Sequence, residues 1–537
     1  MAGDPALGWR QAIAAASRLG DQLLAFDLSR QALADCPDRI EFEYTALLAL
    51  ARSGVTEAAR RRLAGLCERI ARLEDAGLAR DFAALRGRLW KDQAVRSGAE
   101  TAVACWRQAA EAYEAAYLGF GGAFPAINAA TCHLAAGGKQ GALRFAGIAL
   151  EQADGSAADY WAMATRIEAL LILGRAAEAE DVARALPAAT RPDEVASTRR
   201  QLGLVVGLTG AAFDLALLPA PRVLAWPSAV RPVTEAQARA LLGAEGAIVF
   251  LPLLTAGDLA TAGSLVAAGA ALRVVMPCAP ELWLASVFGG AGLEGALRAV
   301  LAVGEPLLVT GEGGVDEPAA RLLCQRQAVG LARLRAQALA VTAEIVAEDG
   351  PSEGEAPAGL VRHPCAILFG DVRGFSKLGE AGQLRFLETV IGGFADVLEA
   401  TPGVEYAETA GDGLFVVLSD VAAAAGCCFA LRAVLDPVGL AAAGLPAHLA
   451  LRLSAHVGPL HRRHDRVIRR DKFCGMEVIR TARIEPVTPV GEIFVTEQFA
   501  ATLAAEGDAF VCEYVGRQAM AKGFGDCRMY SLRRAQG

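Results

Sequence analysis

Long uninterrupted hydrophobic runs are missing from this chain. Its most apolar stretch, Ala247 to Pro277, is broken by Pro252, Asp258, several glycines and Arg273, so nothing offers the roughly 20 consecutive apolar residues of a membrane-spanning helix. Met1-Ala-Gly-Asp-Pro has no basic start followed by an apolar stretch, so no secretory leader is expected. An excess of basic residues is also missing. The net charge of −8 argues against nonspecific nucleic-acid binding. The 12 cysteines form no CxxC pair and show no metal-ligand spacing, and Cys427-Cys428 falls in an alanine-rich helical stretch as core. A reducing cytoplasm is the expected compartment. No histidine stands as an obvious general base, and His456, at a strand turn, reads as structural.

What is present is enough for several cores. At 537 residues, with 54% hydrophobic and 21% charged residues, the chain reads as soluble, globular and multidomain. Residues 1–215 read as helical almost throughout: Ala-, Leu- and Arg-rich segments carry apolar residues at three- and four-residue spacing, with breaks at Ser53-Gly-Val, Gly137-Gly-Lys and Leu173-Gly-Arg-Ala. From 216 to 345 the pattern changes to strand, loop and helix. Arg222-Val-Leu-Ala-Trp, Ala247-Ile-Val-Phe-Leu and Leu272-Arg-Val-Val-Met-Pro are short apolar runs suited to a parallel sheet of a Rossmann-like α/β domain. That domain has no GxGxxG loop and no acid placed for a ribose. Residues 346–362, with Asp349-Gly-Pro-Ser-Glu-Gly-Glu-Ala-Pro-Ala-Gly, read as an acidic, breaker-rich linker that would let the last domain, 363–537, move relative to the rest.

The most informative residues are two aspartates, each at one end of a short apolar run next to glycine. Asp371 lies in Ile367-Leu-Phe-Gly-Asp-Val-Arg-Gly-Phe-Ser and Asp412 in Glu408-Thr-Ala-Gly-Asp-Gly-Leu-Phe-Val-Val-Leu. Strand followed by glycine turn would let both carboxylates converge with bare backbone around them. Magnesium is a hard cation, usually held by one or two carboxylates with substrate phosphates completing its shell. Gly374 allows a turn whose backbone N–H groups could meet a triphosphate. The helical pattern from Leu378 to Leu398 would bring a helix N-terminus near it. Two ions about 4 Å apart could then activate one oxygen and steady the leaving one.

Residues from about 365 to 532 resemble the catalytic domain of class III nucleotidyl cyclases, the adenylate and guanylate cyclase family. Phe369-Gly-Asp-Val-Arg-Gly-Phe-Ser is similar to its first metal strand and phosphate loop, and Glu408-Thr-Ala-Gly-Asp-Gly to the hairpin with the second metal aspartate. Leu453-Ser-Ala-His-Val-Gly-Pro, Gly475-Met-Glu-Val-Ile-Arg-Thr-Ala-Arg-Ile-Glu, Gly491-Glu-Ile-Phe-Val-Thr and Ala521-Lys-Gly-Phe-Gly follow in the family's order. As an ordered set they are specific; any one would be weak.

The resemblance implies an α+β, ferredoxin-like domain working as a head-to-tail homodimer with the site at its interface. Asp371, Val372 and Asp412 would form the metal set for two Mg²⁺ or Mn²⁺ ions, and Gly374 and Phe375 would lie in the phosphate loop. Arg483 falls where the family has its transition-state arginine, and Lys522 where it has a triphosphate-binding lysine. Glu408 and Lys472 fall at the base-reading pair. A carboxylate that only accepts beside an ammonium that only donates suits guanine or uracil better than adenine. Ile479 stands where many members place a ribose-orienting asparagine, and a misplaced reacting atom can cost about 100-fold in rate.

In the N-terminal half, Tyr160 to Ala179 and Asp27 to Leu63 resemble helix-turn-helix units of a tetratricopeptide array, and Tyr113 to Leu150 resembles the helical TRAF-binding region of stress-activated kinase kinases. Such arrays imply an unidentified protein partner. The strand order of the middle region, with turns at Gly263-Ser and Gly269-Ala, resembles a SLOG-type nucleotide-sensing domain. The expected protein is a cytoplasmic cyclase converting a nucleoside triphosphate, GTP or UTP before ATP, into its 3′,5′-cyclic monophosphate and pyrophosphate. The competing expectation is a weak or inactive cyclase-homology module that binds nucleotide or dimerises on an interaction scaffold.

Overall fold

The computed structural model describes residues 5–18, 22–52, 56–95, 97–153, 159–186, 192–218, 222–226, 232–243, 247–286, 292–303, 306–310, 318–339, 341–346 and 362–535. It divides into two compact units, Met1–Ala220 and Pro221–Gly537. No described helix is long and apolar enough to cross a membrane.

The first unit is helical, from Pro5–Arg18 to Pro192–Thr209. Its largest core gathers Trp106, Tyr113, Ile127, Phe145, Ile167 and Leu171, with alanines between them that let neighbouring helices approach. Gly137, in the left-handed region, turns the chain between helices Ala123–Ala135 and Lys139–Ala153. Leu173-Gly174-Arg175 does the same between Tyr160–Ile172 and Ala176–Arg184. The break at Ser53-Gly-Val lies outside the described residues.

The second unit holds two sheets. Strands β1 (Arg222–Ala225), β2 (Ala247–Pro252), β3 (Ala271–Met276), β4 (Leu307–Leu308) and β5 (Ala343–Ile345) form an all-parallel sheet in the order β4-β3-β2-β1-β5. Gly263 is not a turn. It lies inside the helix Ala256–Ala267, because the buried stripe Leu259, Ala262 and Leu265 and the Thr255–Asp258 capping box carry the helix past it. Gly269, with positive φ, is the turn.

The second sheet contains β6 (His363–Arg373), β7 (Val404–Ala410), β8 (Gly413–Leu418), β9 (Ala450–Asp465), β10 (Arg470–Cys474), β11 (Ile493–Thr496), β12 (Phe510–Ala519) and β13 (Asp526–Arg534). The order is β12-β13-β11-β9-β6-β8-β7, with β10 paired to the far end of β9. β6 is central and pairs antiparallel on both sides, and Ile367, Leu368 and Val372 on it are fully buried.

The two sheets do not hang on a free linker. Residues 347–361 of the expected linker lie outside the described residues, but the helix Pro318–Ala338, which covers the parallel sheet, packs along the helix Glu497–Glu506 of the second. A Cβ on Gly330 would fall 1.6 Å from the Ala501 carbonyl oxygen, so the crossing requires a residue with no side chain. Arg333 donates to the carbonyls of Ala504 and Ala505 at 3.1 and 2.7 Å, satisfying groups that the helix end leaves open. On β3, Arg273 clasps Glu497 through two bonds of 2.5 and 2.6 Å, with the carboxylate almost fully buried. Losing one partner of such a pair costs about 3–5 kcal/mol.

Gly330→Ala is expected to destabilise the second unit by about 1–3 kcal/mol through overpacking, read as a lower denaturant midpoint. Gly263→Ala, with nothing within 4 Å of the new methyl, should leave the midpoint unchanged or raise it.

Candidate functional site

Strand register creates the site. On β6, Asp371 stands opposite Gly413 of β8 and Arg452 of β9. Ala410 pairs with Gly413, so Gly411-Asp412 is a two-residue turn that returns the hairpin's tip to Asp371. The two carboxylates interact directly. Burial, then the neighbouring charge of Asp371, pushes the Asp412 carboxyl above its ordinary range.

Gly374 adopts φ +101°, and a Cβ there would press on Leu449 Cδ2 at 2.9 Å. Only glycine suits both demands. The bend releases the turn Phe375–Lys377, whose Phe375 ring packs on Phe386 at 4.8 Å and ties it to the helix Glu380–Phe386. The Val372 side chain is fully buried, so only its main chain could face a ligand.

Two residues at this point escaped the sequence reading. Arg452 donates to Asp371 Oδ2 at 2.8 Å, and its Nε lies 2.5 Å from Glu485 Oε1. Burial pushes the Glu485 carboxyl up, and Asp371 and Asp412 push it further against the pull of Arg452. One guanidinium thus offsets three neighbouring acids. The available signal was Arg452 itself, a charge inside the apolar run Leu449 to Leu453.

Glu408 and Lys472 meet within one chain, Lys472 Nζ lying 3.0 Å from Glu408 Oε1. The Tyr406 hydroxyl donates to Glu408 Oε2 at 2.5 Å, and Arg470 Nη2 approaches the same oxygen at 3.6 Å. Burial raises the carboxyl, but Tyr406 and Lys472 outweigh it and hold Glu408 below the usual range. The ion pair with Glu408 lifts Lys472 in turn. The β9–β10 register, with Lys472 opposite Arg463, fixes this meeting.

Arg483 lies on the helix Met476–Ile484, one turn after Ile479, whose side chain is 41% exposed. Glu477, Thr481 and Ile484 face inward from the same helix. Lys522 occupies the turn Ala521–Gly523 in the left-handed region at φ +62°, exposed and next to that helix. Neither cation pairs with Asp371 or Asp412 in this chain. No group of three or more His, Cys, Asp or Glu able to hold a metal ion occurs among the described residues.

Residues 361–534 match the family model of the adenylate and guanylate cyclase catalytic domain. Over its C-terminal third the chain is thus similar to a class III cyclase catalytic domain. Residues 15–133, within the helical unit, match the tetratricopeptide repeats-sensor model. No curated protein matches the chain. Among solved structures, the adenylyl cyclase CyaB from P. aeruginosa is similar at 19% identity, over 33% of this chain and 96% of that chain, with a TM-score of 0.30. The guanylyl cyclase Cya2 is similar at 25% identity, over 33% and 94%, with a TM-score of 0.28. At these TM-scores the assignment rests on the family model and its motifs.

Arg452→Ala should lower stability most at alkaline pH. The Asp412 and Glu485 carboxyls bind their protons more tightly folded than unfolded, so their contribution falls as pH rises through the raised values; without Arg452 the fall steepens. A loss of about 1–3 kcal/mol near pH 8, smaller near pH 5, is expected from denaturant midpoints at the two pH values.

Proposed function

We propose that the cyclase-type domain converts a nucleoside triphosphate to its 3′,5′-cyclic monophosphate and pyrophosphate, as a homodimer whose two chains complete each site. The observation that carries this reading is the Asp371–Asp412 pair, held together although each charge disfavours the other. A fold with no use for a cation gains nothing from that repulsion. The donor set suits Mg²⁺ or Mn²⁺: hard carboxylate oxygens from Asp371 and Asp412, to which the Val372 carbonyl and substrate phosphate oxygens would add. Bound there, two such ions would lower the pKa of the 3′-hydroxyl and neutralise the phosphates.

The chain's own groups do the rest. Backbone N–H groups around Gly374 and Phe375 would face the phosphates as the ribose 3′-oxygen attacks the α-phosphorus, its proton passes to solvent water, and the bond to the leaving pyrophosphate breaks. Charge collects on phosphate oxygens, and Arg483 and Lys522 from the partner chain meet it. Neither cation has an acid to neutralise within its own chain's metal half, which supports this division of labour. Arg452 keeps Asp371 neutralised before substrate arrives.

Glu408 and Lys472 favour GTP or UTP over ATP. A carboxylate has about four lone-pair sites, so Glu408 can keep Tyr406 and Lys472 and still accept from a base N–H, while Lys472 donates to the adjacent carbonyl. The five-stranded parallel sheet supports a Rossmann-like, SLOG-like reading of the middle domain as a scaffold. The helical repeats serve as a regulatory docking surface for a protein partner.

A second reading, a nucleotide-binding module of weak or no turnover, is favoured by Ile479, which presents a hydrocarbon where a ribose hydroxyl would need a donor. Incubating the protein with each of the four ribonucleotides and Mn²⁺, and seeking cyclic product by mass spectrometry, separates the two. Product from GTP or UTP that disappears in Asp371→Ala is the expected result. Nucleotide bound but never cyclised would overturn the enzyme reading, and Ile479→Asn should raise turnover by up to about 100-fold.

A further inference from the structure

A cavity of about 450 Å³ opens in the helical unit among the helices Glu41–Arg52, Ala76–Val95 and Ala99–Phe120 and the turn that follows them. Its volume lies in the range of small-molecule sites. Nothing in the cyclase chemistry uses it, and it stands independently of that reading.

The wall is divided between cations and hydrocarbon. Arg52, Arg80 and Arg88 line it against one acid, Asp81. Arg80 and Asp81 approach only to 3.8 Å. Arg88 Nε lies 3.5 Å from Asp92 Oδ2 yet is buried without a hydrogen bond. Arg52 has no carboxylate partner among the described residues. It retains exposed surface, but the protein mass around its guanidinium, then the like charge of Arg88, pulls its pKa below the ordinary arginine value. Two guanidiniums kept close and incompletely paired are an unsatisfied arrangement that an anion would complete.

The rest of the lining is largely apolar. Phe120 and Phe124 are 43% and 61% exposed at the cavity mouth, on either side of Gly121-Gly122. Both glycines have positive φ, so the turn that presents the rings is built from residues free to adopt it. Beneath them Tyr113 is fixed: it meets Phe124 edge-on at 6.5 Å, and a side chain on Gly87 would strike its ring at 2.7 Å. Large exposed rings beside a charged pocket mark a contact surface rather than a packed core.

We propose that this cavity binds a small organic anion, its acidic group held by Arg52 and Arg88 and its apolar body seated on Phe120, Phe124 and Leu48. A phosphate or a carboxylate would both offer the bidentate oxygens that guanidinium prefers. A cation is repelled, and a neutral ligand leaves the arginines as they are.

The test uses the full chain and anilinonaphthalene sulfonate, a planar aromatic anion whose fluorescence rises on binding. Saturable binding is expected, weakened by salt and by about tenfold or more in Arg52→Gln. Phe124→Ala, at an exposed ring whose loss leaves the core intact, should weaken it as well. Unaltered thermal midpoints confirm that both variants fold. Dodecanoate and adenosine monophosphate then compete as sources of the anion. Displacement by the first assigns an acyl body, and displacement by the second a nucleotide body. Non-saturable fluorescence, affinity unchanged in both variants, failure of both competitors, or stronger displacement by an acidic peptide than by either would overturn the proposal.

Discussion

The antiparallel pairing of β6 with β9, unbroken from His363 opposite Leu460 to Arg373 opposite Ala450, is the constraint on which the C-terminal site depends. Side chains alternate across a sheet, so a slip of one residue would send Asp371 to the opposite face and part it from both Asp412 and Arg452. The run Cys365 to Leu368 is buried on both faces of the strand, so a slip would set each of these side chains against the wrong layer and spoil the packing. The acids therefore owe their proximity to hydrocarbon several residues away. Arg452 makes that proximity tolerable while no other cation is present.

A second constraint links this sheet to the parallel one. The buried Glu477 carboxylate, on the helix that carries Ile479 and Arg483, accepts from His456 Nε2 at 2.8 Å and pairs with Arg480 at 3.1 Å. The Thr310 hydroxyl, from the parallel-sheet region, donates to it as well. His456 Nδ1 lies 2.8 Å from the Thr496 hydroxyl, whose oxygen accepts from Phe499 N–H to cap the helix Glu497–Glu506. One assignment satisfies every partner: Nε2–H donates to Glu477, and Nδ1 accepts from Thr496. Burial pulls the imidazole pKa down, against the upward pull of the Glu477 carboxylate. The helix that carries Arg483 and the helix at the contact between the two sheets thus share one buried hydrogen-bond network.

Much of this was legible in the sequence because it is local. Asp371 and Asp412 each end an apolar run beside glycine, the ordered motifs carry the family, and β1 to β3 appear as bare hydrophobic runs. What escaped is long-range. Arg452 reaches Asp371 across 81 residues of chain, and Arg273 reaches Glu497 across 224. No window of sequence contains both members of either pair. Gly263 misled for the reverse reason: glycine is a local break signal, and the buried stripe around it overrode that preference. The meeting of Lys472 with Glu408 depends on the pairing of two strands joined by a charged loop, a register that the loop's composition does not reveal.

The Gly330 crossing has a practical consequence for how the chain can be divided. A piece cut at residue 361 would keep both aspartates, Arg452 and the whole second sheet, yet it would bare the face of Glu497–Glu506 on which Ala501 and Thr502 now lie buried. Glu497 would lose Arg273, and Gln498 the Leu308 carbonyl. An excised cyclase-type fragment would therefore enter solution with a freshly exposed, partly apolar helix and an uncompensated acid. Self-association of such a fragment would report on the cut rather than on the dimer that chemistry requires.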